Sequence, residues 1–171
     1  LERLLNSDEV QEAPGTLVIT EGVFSMEGDL GRLPQILTLK RKHGFRVLLD
    51  DAHGIGYLGA GGRGAAEHFG VEKETDLIMG TFSKSFASLG GFVVGDEGPV
   101  DWIQHHARSL IFSASMPPAS VATVLAALDI MENEPQHRER LWANARKMQG
   151  SFKAMGFNVG RTETPVIPII I

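Results

Sequence analysis

One lysine, Lys84, stands in GTFSKSFASLGGF (residues 80–92) among small, hydroxylated and glycine residues, directly after the apolar run DLIMG. A primary amine shielded by such neighbours can lose its proton and act as nucleophile and base. Hydroxyls and bare glycine backbone can also approach a phosphate closely. In isolation Lys84 would be an ordinary solvated side chain. A second reactive stretch, DDAH (50–53), offers two carboxylates and an imidazole where the apolar run FRVLL ends. That is the strand edge at which open α/β sheets bind ligands.

Several chemistries compete for these residues. A divalent metal on DDAH is conceivable, but His43, His68, His105, His106 and His137 show no paired ligand spacing, so no metal is expected. Asp51 or His53 could equally be a structural cap of the loop. GIGYLG (54–59) and GAGGRG (59–64) both satisfy the dinucleotide fingerprint, yet glycines continue to Gly64 and leave only AAEHF before Gly70. A helix that short, with no strand-ending acid about 20 residues on, suits a glycine loop better than a nicotinamide site. No G-x-S-x-G elbow supports a serine hydrolase.

The elements that must position these groups follow from the apolar pattern. β-rich runs recur at 16–20, 45–50, 76–80, 91–95 and 109–113, with a sixth at VIPIII (166–171). Leu33, Ile36, Leu37 and Lys40 give helical spacing over 30–43, with RKH on the wet side and Gly44 as the stop. A second helix follows Pro117-Pro118, its face formed by Val121, Val124, Leu125, Leu128 and Met131. A third starts after Pro135, carries Leu141, Ala145, Met148, Phe152 and Met155, and ends at Gly156. Continuous strands alternating with amphipathic helices predict an α/β domain with a mostly parallel sheet and helices on both faces.

Composition sets the outer bounds. The 171 residues are 43% hydrophobic and 22% charged, enough for one globular core. A formal charge of -5 without a basic cluster speaks against nucleic acid as a partner. No apolar stretch approaches the length of a membrane span, and a cytoplasmic protein is expected. With no cysteine there are neither disulfides nor thiolate ligands. LERLLN begins inside a helix-like pattern and VIPIII stops within a strand-like run, so truncation at both ends is expected.

VITEGVFSMEGD, LLDDAHGIGYLG, GTFSKSFASLGGF and FSASMPP, in that order, resemble the α-oxoamine synthases, pyridoxal 5'-phosphate (PLP) enzymes of fold type I. The likeness covers nearly the whole chain and includes spacing: Ser25 lies 25 residues before Asp50, Asp50 three before His53, and His53 thirty-one before Lys84. It implies that residues 1–160 form the central part of the PLP-binding large domain and 161–171 the start of a C-terminal small domain. Lys84 would bond covalently to the cofactor aldehyde, and Asp50 would pair with the ring nitrogen. His53 and Ser25 would hydrogen-bond the phenolic oxygen. Thr81 and Ser83 would contact the phosphate, while Ser113 and Ser115 would reach the phosphate in a neighbouring subunit; for these two serines a strand end and a helix cap are the plainer reading. Glu21 falls at the site edge without a role.

The implied activity is that of a C-acyltransferase condensing an amino acid with an acyl-CoA, with decarboxylation, to an α-amino ketone. A homodimer with the site at the subunit interface goes with it. TFSKSFASLGGF is most similar to the serine C-palmitoyltransferase group, and that reading is preferred. TPVIPIII is more similar to the glycine C-acetyltransferase and 8-amino-7-oxononanoate synthase groups. A non-catalytic partner subunit is the alternative of another class, but such scaffolds lack the lysine. The family's ring-stacking aromatic residue, early phosphate loop and carboxylate-binding arginine have no counterpart here.

Overall fold

The computed structural model describes all of residues 1–171. Two short helices, α1 (Glu2–Leu5) and α2 (Asp8–Gln11), precede strand β1 (Leu17–Glu21). There follow α3 (Leu33–His43), β2 (Arg46–Asp50), α4 (Ala65–Phe69), a 3-10 turn at Glu72–Glu74, β3 (Leu77–Thr81) and β4 (Gly91–Gly95). The remainder is helical: α5 (Glu97–His106), α6 (Arg108–Ile111), α7 (Pro118–Asn133) and α8 (Gln136–Ala154). The sheet order is β1-β2-β3-β4; the first three strands are parallel and β4 runs antiparallel to β3.

Register decides which side chains share a face, because side chains alternate along a strand. Val18, Val47, Leu49, Ile78 and Val94 fall on one face. There Val47 and Leu49 join Leu33 and Leu37 of α3 and Ala65 and Ala66 of α4 in the buried core. Leu128 and Met131 of α7 line a cavity on this face with Ile78 and Val94. The opposite face holds Ile19, Leu48, Asp50, Met79, Thr81 and Val93. α5 and α6 approach it, through Val100 and Ile103 and through Ser109 and Leu110, beside Met79 and Val93, while Ile19 is 66% exposed. The sheet thus carries helices on both faces, as the alternating pattern predicts.

At the strands' amino ends Asp76 gathers three donors. Its carboxylate accepts from Lys40 of α3 (2.5 Å), Arg46 (2.8 Å) and the Val47 amide (2.8 Å). A half-buried acid so satisfied fixes helix and strands in one register. No helix is long and apolar enough to cross a membrane.

Two strand expectations are corrected. Residues 109–113 are not a strand: Arg108–Ile111 form α6, and Leu110, Ile111 and Phe112 stand exposed. A five-residue apolar run carries no periodicity that separates strand from helical turn. VIPIII forms no strand, only one bridge from Ile170 to Asn158. Pro168 within it cannot donate to a ladder. The helix expected over 30–43 begins at Leu33, with Pro34 in its first turn. The expected buried faces of α7 and α8 are largely open, with only Val124 and Ala145 buried.

Candidate active site

Three parallel strands end side by side, and their exits bear the reactive residues. Glu21 pairs with Asp50 and Asp50 with Met79, so β1 releases its chain beside Asp50 and β3 releases its chain at Thr81, two residues past Met79. The Gly22 amide donates to the Asp50 carbonyl (2.8 Å) and the Asp51 amide to the Met79 carbonyl (2.9 Å), continuing the pairing past the strand ends. Asp50 and Thr81 therefore lie at one edge and on the same, less covered face. Beside Thr81 that face opens into a cavity of about 540 Å³.

The turn carrying Lys84 is the link between β3 and β4, and it is pinned from several sides. Phe82 donates its amide to Gly90 (3.0 Å), Ser88 to Phe82 (2.8 Å) and Ala87 to Lys84 (2.9 Å). Ala87 sits at φ 50, a left-handed conformation that costs an alanine of order 1 kcal/mol and persists only when its surroundings impose it. Those surroundings are visible. The Ser85 hydroxyl donates to the Ile55 carbonyl (2.8 Å), joining this turn to the loop that follows His53. The Ser88 hydroxyl donates to the Ser120 carbonyl (3.0 Å). Phe82, Phe86 and Phe92 pack edge to face or tilted beneath.

Thr81 and Ser83 share a hydroxyl-hydroxyl bond of 2.8 Å, and Thr81 also reaches the Gly90 carbonyl (3.2 Å). Lys84 is different. Its amine has no hydrogen bond or ion pair and is exposed, rather than shielded as its small neighbours suggest. His53, half-buried, likewise bonds to nothing in the chain. Asp50 uses only Oδ1, which accepts the Ala52 amide (3.0 Å). An amine, an imidazole and one carboxylate oxygen thus stay disengaged at one edge while the residues around them are tied down.

Asp51 takes the structural part of DDAH. Fully buried, it accepts the Ala65 amide at the start of α4 (2.6 Å), and its Oδ1 has no partner. Gly22, Gly54 and Gly64 close around this carboxylate so tightly that a methyl group on any of them would overlap it. Burial, opposed by the Ala65 amide and reinforced by Asp50, pushes its pKa up to about 6. An acid raised in the folded state binds its proton more tightly there. The contribution of this group to stability is greatest below 3.8 and falls as pH rises through about 6, by roughly 3 kcal/mol. Asp51→Asn keeps the acceptor for Ala65 and should flatten this slope. Urea denaturation of the full-length protein at several pH values between 4 and 7 checks it; an unchanged slope would contradict the assignment.

The glycine motifs resolve in the same way. Amides of Gly61 (3.0 Å) and Arg63 (2.9 Å) donate to Glu67, and Arg138 of α8 clasps the Ala60 carbonyl (2.7 Å). Amides that a dinucleotide phosphate would require already serve the Glu67 carboxylate and carbonyls of the loop itself.

Ser25 lies exposed in the loop between β1 and α3. Ser113 and Ser115 are exposed in the segment after α6, where the Ser113 hydroxyl turns back on the Ser109 carbonyl. That segment docks on the Lys84 turn through Met116, whose sulfur fills the space where Gly90 lacks a side chain. Ser85, Ser88 and Met116 had no signal of their own in the sequence.

The profile of the family Aminotransferase class I and II matches residues 1–171. Serine palmitoyltransferase of Sphingobacterium spiritivorum is 50% identical over 155 residues, covering 91% of this chain and 39% of that protein. 8-Amino-7-oxononanoate synthase of Alkaliphilus oremlandii is 42% identical with the same coverage. A solved serine palmitoyltransferase from S. paucimobilis with bound PLP and myriocin superposes with a TM-score of 0.90 at 39% identity, over 99% of this chain and 44% of that one. The chain thus spans about two fifths of the length of the relatives it matches.

Proposed function

The chain belongs to the aminotransferase class I and II family, and on that premise we propose that it forms the PLP-bearing centre of a C-acyltransferase of the α-oxoamine synthase group. The enzyme joins an amino acid to an acyl-CoA with loss of carbon dioxide. The observation that carries this reading is the disengaged trio of Lys84, His53 and one Asp50 oxygen, standing where three strand exits converge.

The residues present fit the cofactor by donor chemistry. Asp50 Oδ2, which has no partner in the chain, would accept a pyridinium N–H and hold that proton in place. Lys84 would supply an amine to hold the aldehyde, and its Nζ would hold or move the proton at the substrate α-carbon. His53 and Ser25 donate to the phenolic oxygen. Thr81 and Ser83 would offer hydroxyls to the phosphate from one end of the turn, and in a homodimer Ser113 and Ser115 would reach toward the cofactor of the partner subunit. When bound, PLP supplies the electron sink for charge developing at the α-carbon.

Residues 1–160 act as the core of the large domain and 161–171 as the entry to a small domain, in a cytoplasmic enzyme. The amino acid is serine and the acyl group long, a choice supported by the higher identity to serine palmitoyltransferase. A synthase acting on another amino acid is the second reading, supported by the 42% identical relative.

Borohydride reduction of the full-length holoenzyme followed by peptide mapping should place the cofactor on Lys84; a tag elsewhere overturns the assignment. Turnover of serine, alanine and glycine with short and long acyl-CoAs separates the two readings, and no turnover with any pair leaves only a non-catalytic partner.

A further inference from the structure

The loop bearing Ser25 has no support from the sheet beyond its two stems. Phe24 donates its amide to the Asp29 carbonyl (2.9 Å), Gly28 donates to Phe24 (2.8 Å), and Val23 bridges Leu30, closing a tight tip over residues 24–29. What holds the tip comes from more than 130 residues away. The Thr164 hydroxyl, in a fully buried side chain, donates to the Gly28 carbonyl at 2.9 Å. Thr162, 8% exposed, lies beside it with its hydroxyl shared among the carbonyls of Gly28, Thr164 and Val166. Gly28 is at φ 71, and a side chain there would strike the Thr162 hydroxyl and the Val166 carbonyl. From the other side, Gln149 of α8 donates to the Thr164 carbonyl (2.8 Å).

We propose that Thr164, seconded by Thr162, is a positioning residue for Ser25: it clamps the Gly28 carbonyl and ties the Ser25 loop to the segment that follows α8. A buried hydroxyl aimed at one carbonyl is short, directional and water-excluded, so it fixes the loop in one place rather than merely filling space. The inference rests on the reading of Ser25 as a ligand of the cofactor's phenolic oxygen. Through it, displacement of residues 161–166 would move Ser25 without touching Lys84, Asp50 or His53.

The test uses the full-length protein. In its cofactor-free form, Thr164→Val should speed hydrogen exchange at the amides of Phe24 and Gly28 by about fivefold, the effect of one lost buried hydrogen bond. Thr164→Ser should leave exchange near the parent's rate. In the PLP-loaded form, Thr164→Val should shift the pH titration of the visible absorbance in the same direction as Ser25→Ala. The double variant should shift it no further than Ser25→Ala alone. Unchanged exchange, or a lower melting temperature with an unmoved titration, overturns the proposal. If Thr164→Val does not fold, Thr162→Val serves the same comparisons. Absence of a borohydride tag on Lys84 would instead defeat the cofactor reading, and the exchange measurement would still decide whether the clamp exists.

Discussion

Lys84→Ala in the full-length protein is expected to lower turnover by about four orders of magnitude or more, because on the proposed reading one substitution would remove both the covalent anchor and the positioned base. The fold should not notice. Lys84 is exposed and makes no hydrogen bond or ion pair within the chain, so in the cofactor-free form the stability should change by no more than an ordinary surface substitution, under about 0.5 kcal/mol. This separation makes the experiment informative. Turnover above about 1% of the parent's, far beyond the residue that a lost acid-base group leaves, would mean that another group carries the chemistry. A large loss of stability would mean that the side chain is structural.

Gly64→Ala is expected to have the largest effect on folding. Gly64 sits at φ 98, ψ -162, a region essentially closed to any residue with a Cβ, and the added methyl would overlap the buried Asp51 carboxylate. Backbone strain and steric overlap together should cost more than about 3 kcal/mol, enough to remove most of a domain's margin. Soluble yield and thermal melting check this. Adding Asp51→Ala should recover part of the loss, the part due to overlap, and leave the part due to strain. Gly15→Ala, with nothing within 4 Å of the added methyl, serves as the control and should be tolerated.

The sequence was most legible where pattern and chemistry agree. The four strands β1 to β4 lie within a residue or so of the runs that predict them, because each is continuously apolar and bounded by turn residues. α5 was not anticipated: EGPVDWIQHH places Gly98 and Pro99 in its first turn, where a helix tolerates them but where they read as loop. α6 was misread because a short apolar run has no period to count. In DDAH, residue types alone left open which acid is structural. Strand alternation answers it, ending β2 with Asp50 on the open face and turning Asp51 into the glycine nest. Thr162 and Thr164 were invisible for a different reason, since their partner Gly28 is distant in the chain and only the fold brings them together.

Because β4 runs back against β3, Lys84 rides on a hairpin whose two legs are laddered together from Thr81 opposite Gly91 to Leu77 opposite Gly95. Sliding that ladder would carry the whole turn, and the amine with it, along the sheet. A one-residue slip would exchange Phe92 and Val94 with Val93 between the two faces of the sheet, so the smallest step that keeps each side chain on its face is two residues, about 7 Å along the ladder. Anyone transplanting this lysine to a new scaffold inherits that quantised travel: sliding the ladder advances or retracts the amine in whole pleats, and finer placement is left to the turn and the bonds that pin it.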